Sequence, residues 1–242
     1  MSRWIMAALG ALALLAGLIA FAPARMAHDV WLRPNGVSAY AVEGTVWRAG
    51  LHEATVRGRR VASVRTETRL LPLLAGRAET RFEIADPELR LTGQASVSRS
   101  GWALGEASGM ARLPRDAGLP AALAGQPLRV EGLAVRYSQT GCETASGRAR
   151  TGALAAAGER HGVALPMLEG GFACEGRDVI LRLSGRSELV GVEGWARIGA
   201  RGIDWSFEAV PAGPDVAVLL PALGFSEQEG AWRISGTGRA AG

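Results

Sequence analysis

The chain has no lysine, only two cysteines (Cys142 and Cys174) and only three histidines (His28, His52 and His161). Each scarcity removes a class of chemistry. A phosphate-cradling Gly-Lys-Ser/Thr loop is absent, and so are His-Glu-x-x-His, the Gly-x-Ser-x-Gly elbow and a dinucleotide fingerprint following a strand. The histidines show no paired spacing with either cysteine, so no zinc-type ligand set can be written. Serine and aspartate occur, yet nothing in the sequence brings them to a histidine, and Glu227 with Glu229 reads as a solvated turn. The expectation is therefore no catalysis, no metal and no cofactor. The positive charge is all arginine, with a formal net charge of +4. These arginines alternate with Glu and Asp, and the one tight cluster runs from Arg57 to Arg60. Without a recognition motif, or aromatics interleaved with a basic stripe, nucleic acid is excluded as a partner. A lysine-free chain rich in alanine and glycine fits the codon bias of a GC-rich genome.

Long apolar runs are also scarce, since there is one alone. From Trp4 to Ala22 the chain is uncharged, which approaches the 20 or so residues that cross a bilayer as a helix. A cleaved secretory signal has a shorter apolar region, and Pro23 inside the Ala22-Pro23-Ala24 imitation of a cleavage site argues against cleavage. The run reads as an uncleaved signal anchor. Arginines flank it on both sides (Arg3 before, Arg25 and Arg33 after), so charge orients it weakly. The long remainder, with no second span, favours an amino terminus in the cytoplasm and everything else outside. Residues 1–24 are accordingly expected to be a cytoplasmic tip and transmembrane anchor, and 25–242 one periplasmic β domain.

That location bears on the cysteines. In an oxidising compartment, two cysteines without a competing thiol are most simply one disulfide, Cys142 to Cys174. Two buried free thiols, or a metal or catalytic pair, are the alternatives. The bond would close a loop for which chain entropy gives about 3 to 4 kcal/mol.

Beyond Pro34 the pattern has period two. Val64, Thr66, Thr68 and Leu70 alternate with Arg65, Glu67 and Arg69, as on a half-buried strand. Phe82 and Ile84, then Leu89 and Leu91, then Ala95 and Val97 continue one apolar side, with Asp86-Pro87 as the turn between. Similar segments recur in LRVEGLAVRYS, VILRLSGRSELVGVEGWARI, IDWSFEAVP and AWRISGTGR. At least eight such runs predict an all-β, antiparallel, curved sheet with an apolar face and an Arg/Glu face. Two sheets closing on each other is the default for such apolar faces, and an open groove is the alternative. RLPRDAGLPAALAG and PALGFSEQEG read as short helices or turns. TGALAAAGERHG reads as a loop or poor strand. Trp31 suits a membrane-interface position, whereas Trp47, Trp102, Trp195, Trp205 and Trp232 are expected in the core. Ala7, Ala11, Ala13 and Gly17 place small residues at intervals suited to helix pairing within the anchor, as alanine richness alone would also do.

VEGTVWRAGLHEATV, with Gly44, Thr45, Val46 and Trp47, resembles a segment found just after the membrane anchor in the type II secretion system protein N (general secretion pathway protein N) family. RLLPLLAGRAETRFEI, the two cysteine-containing stretches, and EQEGAWRISGTGR with Gly230, Trp232, Arg233 and Ile234 resemble later family segments, in the same order. Departures are Ala49 within the first motif, Thr66 or Thr68 where a tryptophan is usual, and Gln228-Glu229 in place of an aspartate. The resemblance implies a non-catalytic inner-membrane accessory subunit of the machine that exports folded proteins from the periplasm. It also implies partners among the other inner-membrane subunits or the periplasmic domains of the secretin. A membrane-anchored sheet with an apolar concave face also looks like AsmA-like lipid carriers, which makes lipid a possible ligand.

Overall fold

The fold was analysed in a computed structural model that describes residues 17, 21–56, 58–113, 115, 118–199, 202–228 and 230–239. The expected membrane helix over residues 4–22 lies, apart from Gly17, Phe21 and Ala22, outside these residues. Among the described residues, no helix is long and apolar enough to cross a membrane.

The period-two segments form fourteen strands: β1 Val37–Thr45, β2 Arg48–Val56, β3 Arg59–Arg69, β4 Ala78–Ala85, β5 Leu89–Ser98, β6 Gly101–Arg112, β7 Pro127–Ser138, β8 Gly141–Thr151, β9 Leu168–Glu175, β10 Asp178–Arg186, β11 Val190–Gly199, β12 Gly202–Pro211, β13 Ser226–Gln228 and β14 Ala231–Arg239. All belong to one antiparallel sheet in chain order, except that β14 pairs with β12 and the short β13 folds back outside it. The register slips between β5, β6, β7 and β8, and such bulges bend the sheet where they occur. The expected closure of two sheets on each other is therefore corrected: there is one sheet, and its two outermost strands, β1 and β13, are not joined.

Cross-strand partners share a face, so the register sorts the side chains. Val64, Phe82, Ile84, Leu91, Leu104, Val130, Leu181, Val192, Trp205 and Ile234 all fall on one side. Arg65, Glu67, Arg81, Glu83, Arg129, Arg182, Glu193 and Arg233 fall on the other. What covers the apolar side depends on connection length. Three strand connections at one end of the C-terminal half are long, spanning residues 113–126, 152–167 and 212–225, and they fold back over it.

The second of these connections corrects the sequence reading. The segment read as a loop or poor strand contains helix Ala153–Glu159, with Leu154 and Ala157 buried. Alanine is the best helix former, and here its small side chain also lets the helix lie close to the sheet. The third connection supplies helix Pro214–Leu219 and a 3-10 turn, Leu220–Leu223. Val216, Leu220 and Leu223 meet Leu181, Leu183, Val190, Val192, Trp205, Ala209 and Ile234 in one core. Each aliphatic side chain fully buried there contributes about 1.5 to 3 kcal/mol.

In the N-terminal half the connections at the same end are the two-residue link between β2 and β3 and the turn at 86–88. They are too short to fold back, so Val64, Phe82, Ile84, Leu91 and Leu104 are only half-buried. Helix Ala24–Ala27 and the π-helical turn His28–Leu32 lie against β1, with Ala24 and His28 as their buried residues.

Candidate interaction surfaces

The two cysteines are joined, with Cα atoms 5.6 Å apart. Register explains the use of the bond. The β8–β9 ladder holds only four pairs, Arg148↔Gly171 through Thr151↔Leu168. Cys142 pairs across to Tyr137 on β7 and Cys174 to Val179 on β10. The disulfide thus staples β8 to β9 at the end where their mutual backbone pairing has stopped. Among the described residues, no group of three or more His, Cys, Asp or Glu is placed to hold a metal ion. His28 is 5% exposed, with Nδ1 2.9 Å from Asp29 Oδ1 and Nε2 lacking a hydrogen-bond partner.

The motif residues occupy turns. Gly44 and Thr45 end β1, and Val46-Trp47 is the two-residue turn closed by Thr45↔Arg48. Gly44 has φ of +83°, and a Cβ there would collide with the backbone carbonyl of Arg48. Glycine is therefore required by conformation and by space. Gly230, at φ +82° in the turn between Gln228 and Ala231, is favoured by conformation alone, with open space around it. After it Trp232 packs against the core, Ile234 belongs to the core, and Arg233 Nε donates to Glu208 Oε2 at 3.0 Å. The tryptophans divide. Trp205 is 4% exposed and central, as expected. Trp102, expected in the core, is 48% exposed and stacks on Tyr137 with centroids 4.7 Å apart. Trp195 lies on the polar face under the Arg197 guanidinium, 5.2 Å from its ring centroid. Periodicity placed these residues in strands and could not say which face was covered. Tyr137 is shifted above the ordinary phenol range, first by burial and second by the negative charge of Asp178.

Three surfaces could engage another molecule. The first is the polar face, where cross-strand ion pairs Arg48–Glu67, Arg150–Glu169 and Arg197–Glu175 each close to 2.9 Å. All are solvent-exposed, so each contributes at most about 1 kcal/mol to folding. Self-pairing also leaves little net charge for a polyanion. A shallow depression of about 860 Å³ on this face near β2–β4 is lined by Arg48, His52, Arg65, Glu67, Arg81 and Glu83. The second is the half-buried apolar row of β3–β6, Val64, Phe82, Ile84, Leu91 and Leu104. The third is the outer edge of β1, where Tyr40 is 86% exposed and, among the described residues, no further strand pairs, Pro23 bridging to Thr45 alone. The opposite edge is blunted, because β13 has only three residues, all exposed and polar. Short polar edge strands discourage pairing, and long ones invite it.

Comparison with known proteins bears on which kind of molecule carries these surfaces. No curated protein and no solved structure matches the chain. The profile of the family described as Type II secretion system (T2SS), protein N, matches residues 35–235. That match runs from the residues just before β1 to the middle of β14, taking in the Gly44–Trp47 turn, both cysteines and the Gly230–Ile234 segment, and the chain belongs to the type II secretion system protein N family.

Proposed function

We propose that the protein is a non-catalytic accessory subunit of the type II secretion system, held at the inner membrane by residues 1–24 with residues 25–242 in the periplasm. It acts as a scaffold in the export of folded proteins. Family membership carries this reading, and the asymmetry of the sheet edges supplies its mechanism. Among the described residues no strand pairs with the outer side of β1, where Pro23 bridges to Thr45 alone, and the backbone beyond that bridge is what a strand of another subunit would meet. Strand addition of this kind takes affinity from main-chain hydrogen bonds and specificity from alternate side chains. The partners are other inner-membrane subunits of the machine or the periplasmic domains of its secretin. A photocrosslinking residue at Tyr40 is expected to capture one of these in cells, and the same residue at Glu227, on the blunted edge, is not. Equal capture at both positions, or at neither, would remove β1 from the interface.

A second reading has its own support. Among the described residues, the half-buried apolar row Val64, Phe82, Ile84, Leu91 and Leu104 is not part of the helix-covered core, as a lipid-carrying protein of the AsmA-like type would require. Lipid retained by the protein after detergent exchange, and lost when Phe82 and Leu91 are replaced by Asp, would favour it. Protein that carries no lipid would dismiss it.

A further inference from the structure

The sheet has two unlike ends. At one end lie the tight turns 46–47, 99–100, 139–140 and 176–177 and the 70–77 connection. The three long connections of the C-terminal half lie at the other. The chain enters at the first end: Pro23 bridges to Thr45, and Val46 N–H donates to the Ala22 carbonyl at 3.0 Å. The apolar run Trp4–Ala22 therefore finishes against the β1–β2 turn. Whatever that run enters, this end of the sheet meets first.

The adjoining turns have an unusual composition for a protein surface. Thr68 N–H donates to the Trp47 carbonyl at 2.8 Å, which sets the β3–β4 connection beside the β1–β2 turn. That connection reads Leu-Leu-Pro-Leu-Leu from Leu70 to Leu74 and forms one helical turn over Leu71–Leu74. Three of these leucines face solvent, Leu71 at 80%, Leu70 at 54% and Leu73 at 39% exposure. Phe21, two residues before the bridge, is 80% exposed. The apolar display continues along the same end, because register puts Val97, 60% exposed, opposite Ala78 and beside Trp102. Single exposed apolar residues are ordinary, but a contiguous row is not. Exposed arginines Arg69, Arg77 and Arg99 stand within or next to the same turns. The acids Glu79 and Glu67 beside them are already bound, by Arg77 and Arg48. Apolar side chains bordered by arginine are what the boundary between acyl chains and anionic headgroups accepts.

We infer that this end of the sheet is a membrane-contacting surface: the Leu70–Leu74 turn inserts into the headgroup boundary of the bilayer beside the anchor, with Arg69 and Arg99 on lipid phosphates. The inference rests on the anchored reading above. It adds that the β domain does not hang on a free tether but stands on the bilayer by the ends of β1–β6. Its strands rise from the surface, with the long connections and the C-terminal core's helices farthest from it. The outer side of β1, with Ala24–Leu32 against it, is then presented upright to neighbouring subunits at the membrane.

The test uses the full chain in vesicles of phosphatidylcholine and phosphatidylglycerol. Both native cysteines are in the disulfide, so Leu71→Cys introduces the single thiol for an environment-sensitive fluorophore. Glu88→Cys, in the exposed turn at the opposite end of β4, serves as the reference. With protein that floats with the vesicles, the label at position 71 is expected to lose fluorescence to a nitroxide on the upper acyl chain and to resist aqueous iodide. The label at position 88 is expected to do the reverse. Co-flotation with both labels quenched by iodide and neither by the nitroxide would overturn the inference and leave the anchor intact. Protein that fails to float would overturn the anchored reading itself, and the inference with it.

Discussion

Replacing both cysteines by alanine tests the fold where its backbone pairing is thinnest. The bond links residues 32 apart in sequence, and the chain-entropy estimate for a loop of that size is about 3.7 kcal/mol at 25 °C. The native state is expected to survive the loss. Each cysteine stays registered to its outer neighbour, Cys142 to Tyr137 and Cys174 to Val179. Within the loop, the four β8–β9 pairs and the helix Ala153–Glu159 remain. The effect therefore falls mainly on the unfolded chain, which regains the freedom that the crosslink removed. With a urea slope of about 2 to 3 kcal/mol/M for a domain of this size, the unfolding midpoint should drop by about 1 to 2 M. Tryptophan fluorescence of the full-length protein in micelles follows it, since Trp205 sits in the core. Wild type unfolded in reductant should coincide with the Cys142→Ala/Cys174→Ala variant. A midpoint shift below about 0.3 M, under about 1 kcal/mol at that slope, would refute the claim that the bond stabilises this sheet.

The remaining predictions concern the motif turn, the core and the one shifted titration. Gly44→Val must place a β-branched residue at φ +83° against the Arg48 carbonyl, costing upward of about 1 to 2 kcal/mol; hydrogen exchange should show β1 losing protection while the C-terminal core keeps it. Leu220→Ala, at 2% exposure, should cost about 2 to 5 kcal/mol in urea unfolding, whereas Leu71→Ala, at 80% exposure, should stay within about 0.5 kcal/mol. Tyr137 holds its proton above the ordinary phenol range because of burial and Asp178. A folded-state value raised above the unfolded one gives stability that is present at neutral pH and lost as pH rises through the folded value. Tyrosinate absorbance should lose its highest-pH component in Tyr137→Phe, and Asp178→Asn should move that component down.

Strand identity was legible wherever one face was apolar and the other charged. Val64, Thr66 and Thr68 against Arg65, Glu67 and Arg69, and Phe82 and Ile84 continuing to Leu89 and Leu91, sit as the alternation required. The disulfide was legible from the absence of any competing thiol. Whether the apolar face would be closed was not, because one-dimensional alternation is identical under a covering helix and under open space. Coverage was decided by connection length, and the decisive connection, Ala153–Glu159, was misread because its glycines and brevity outweighed its alanines. Trp102 failed for the same reason: its strand was correct, but its neighbourhood at the open end of β6 was not encoded in the local pattern. The β1 edge and the Leu70–Leu74 turn needed the register before they became surfaces.

The account's central claim, that this chain serves protein secretion, is met most directly by deleting its gene in the host and comparing exoprotein activity in periplasm and medium, with outer-membrane lipid composition from the same cultures. The account predicts exoproteins retained in the periplasm, unchanged lipids, and secretion restored by the wild-type chain. Normal secretion with altered outer-membrane lipids would contradict it and put the half-buried apolar row of β3–β6 in the leading role.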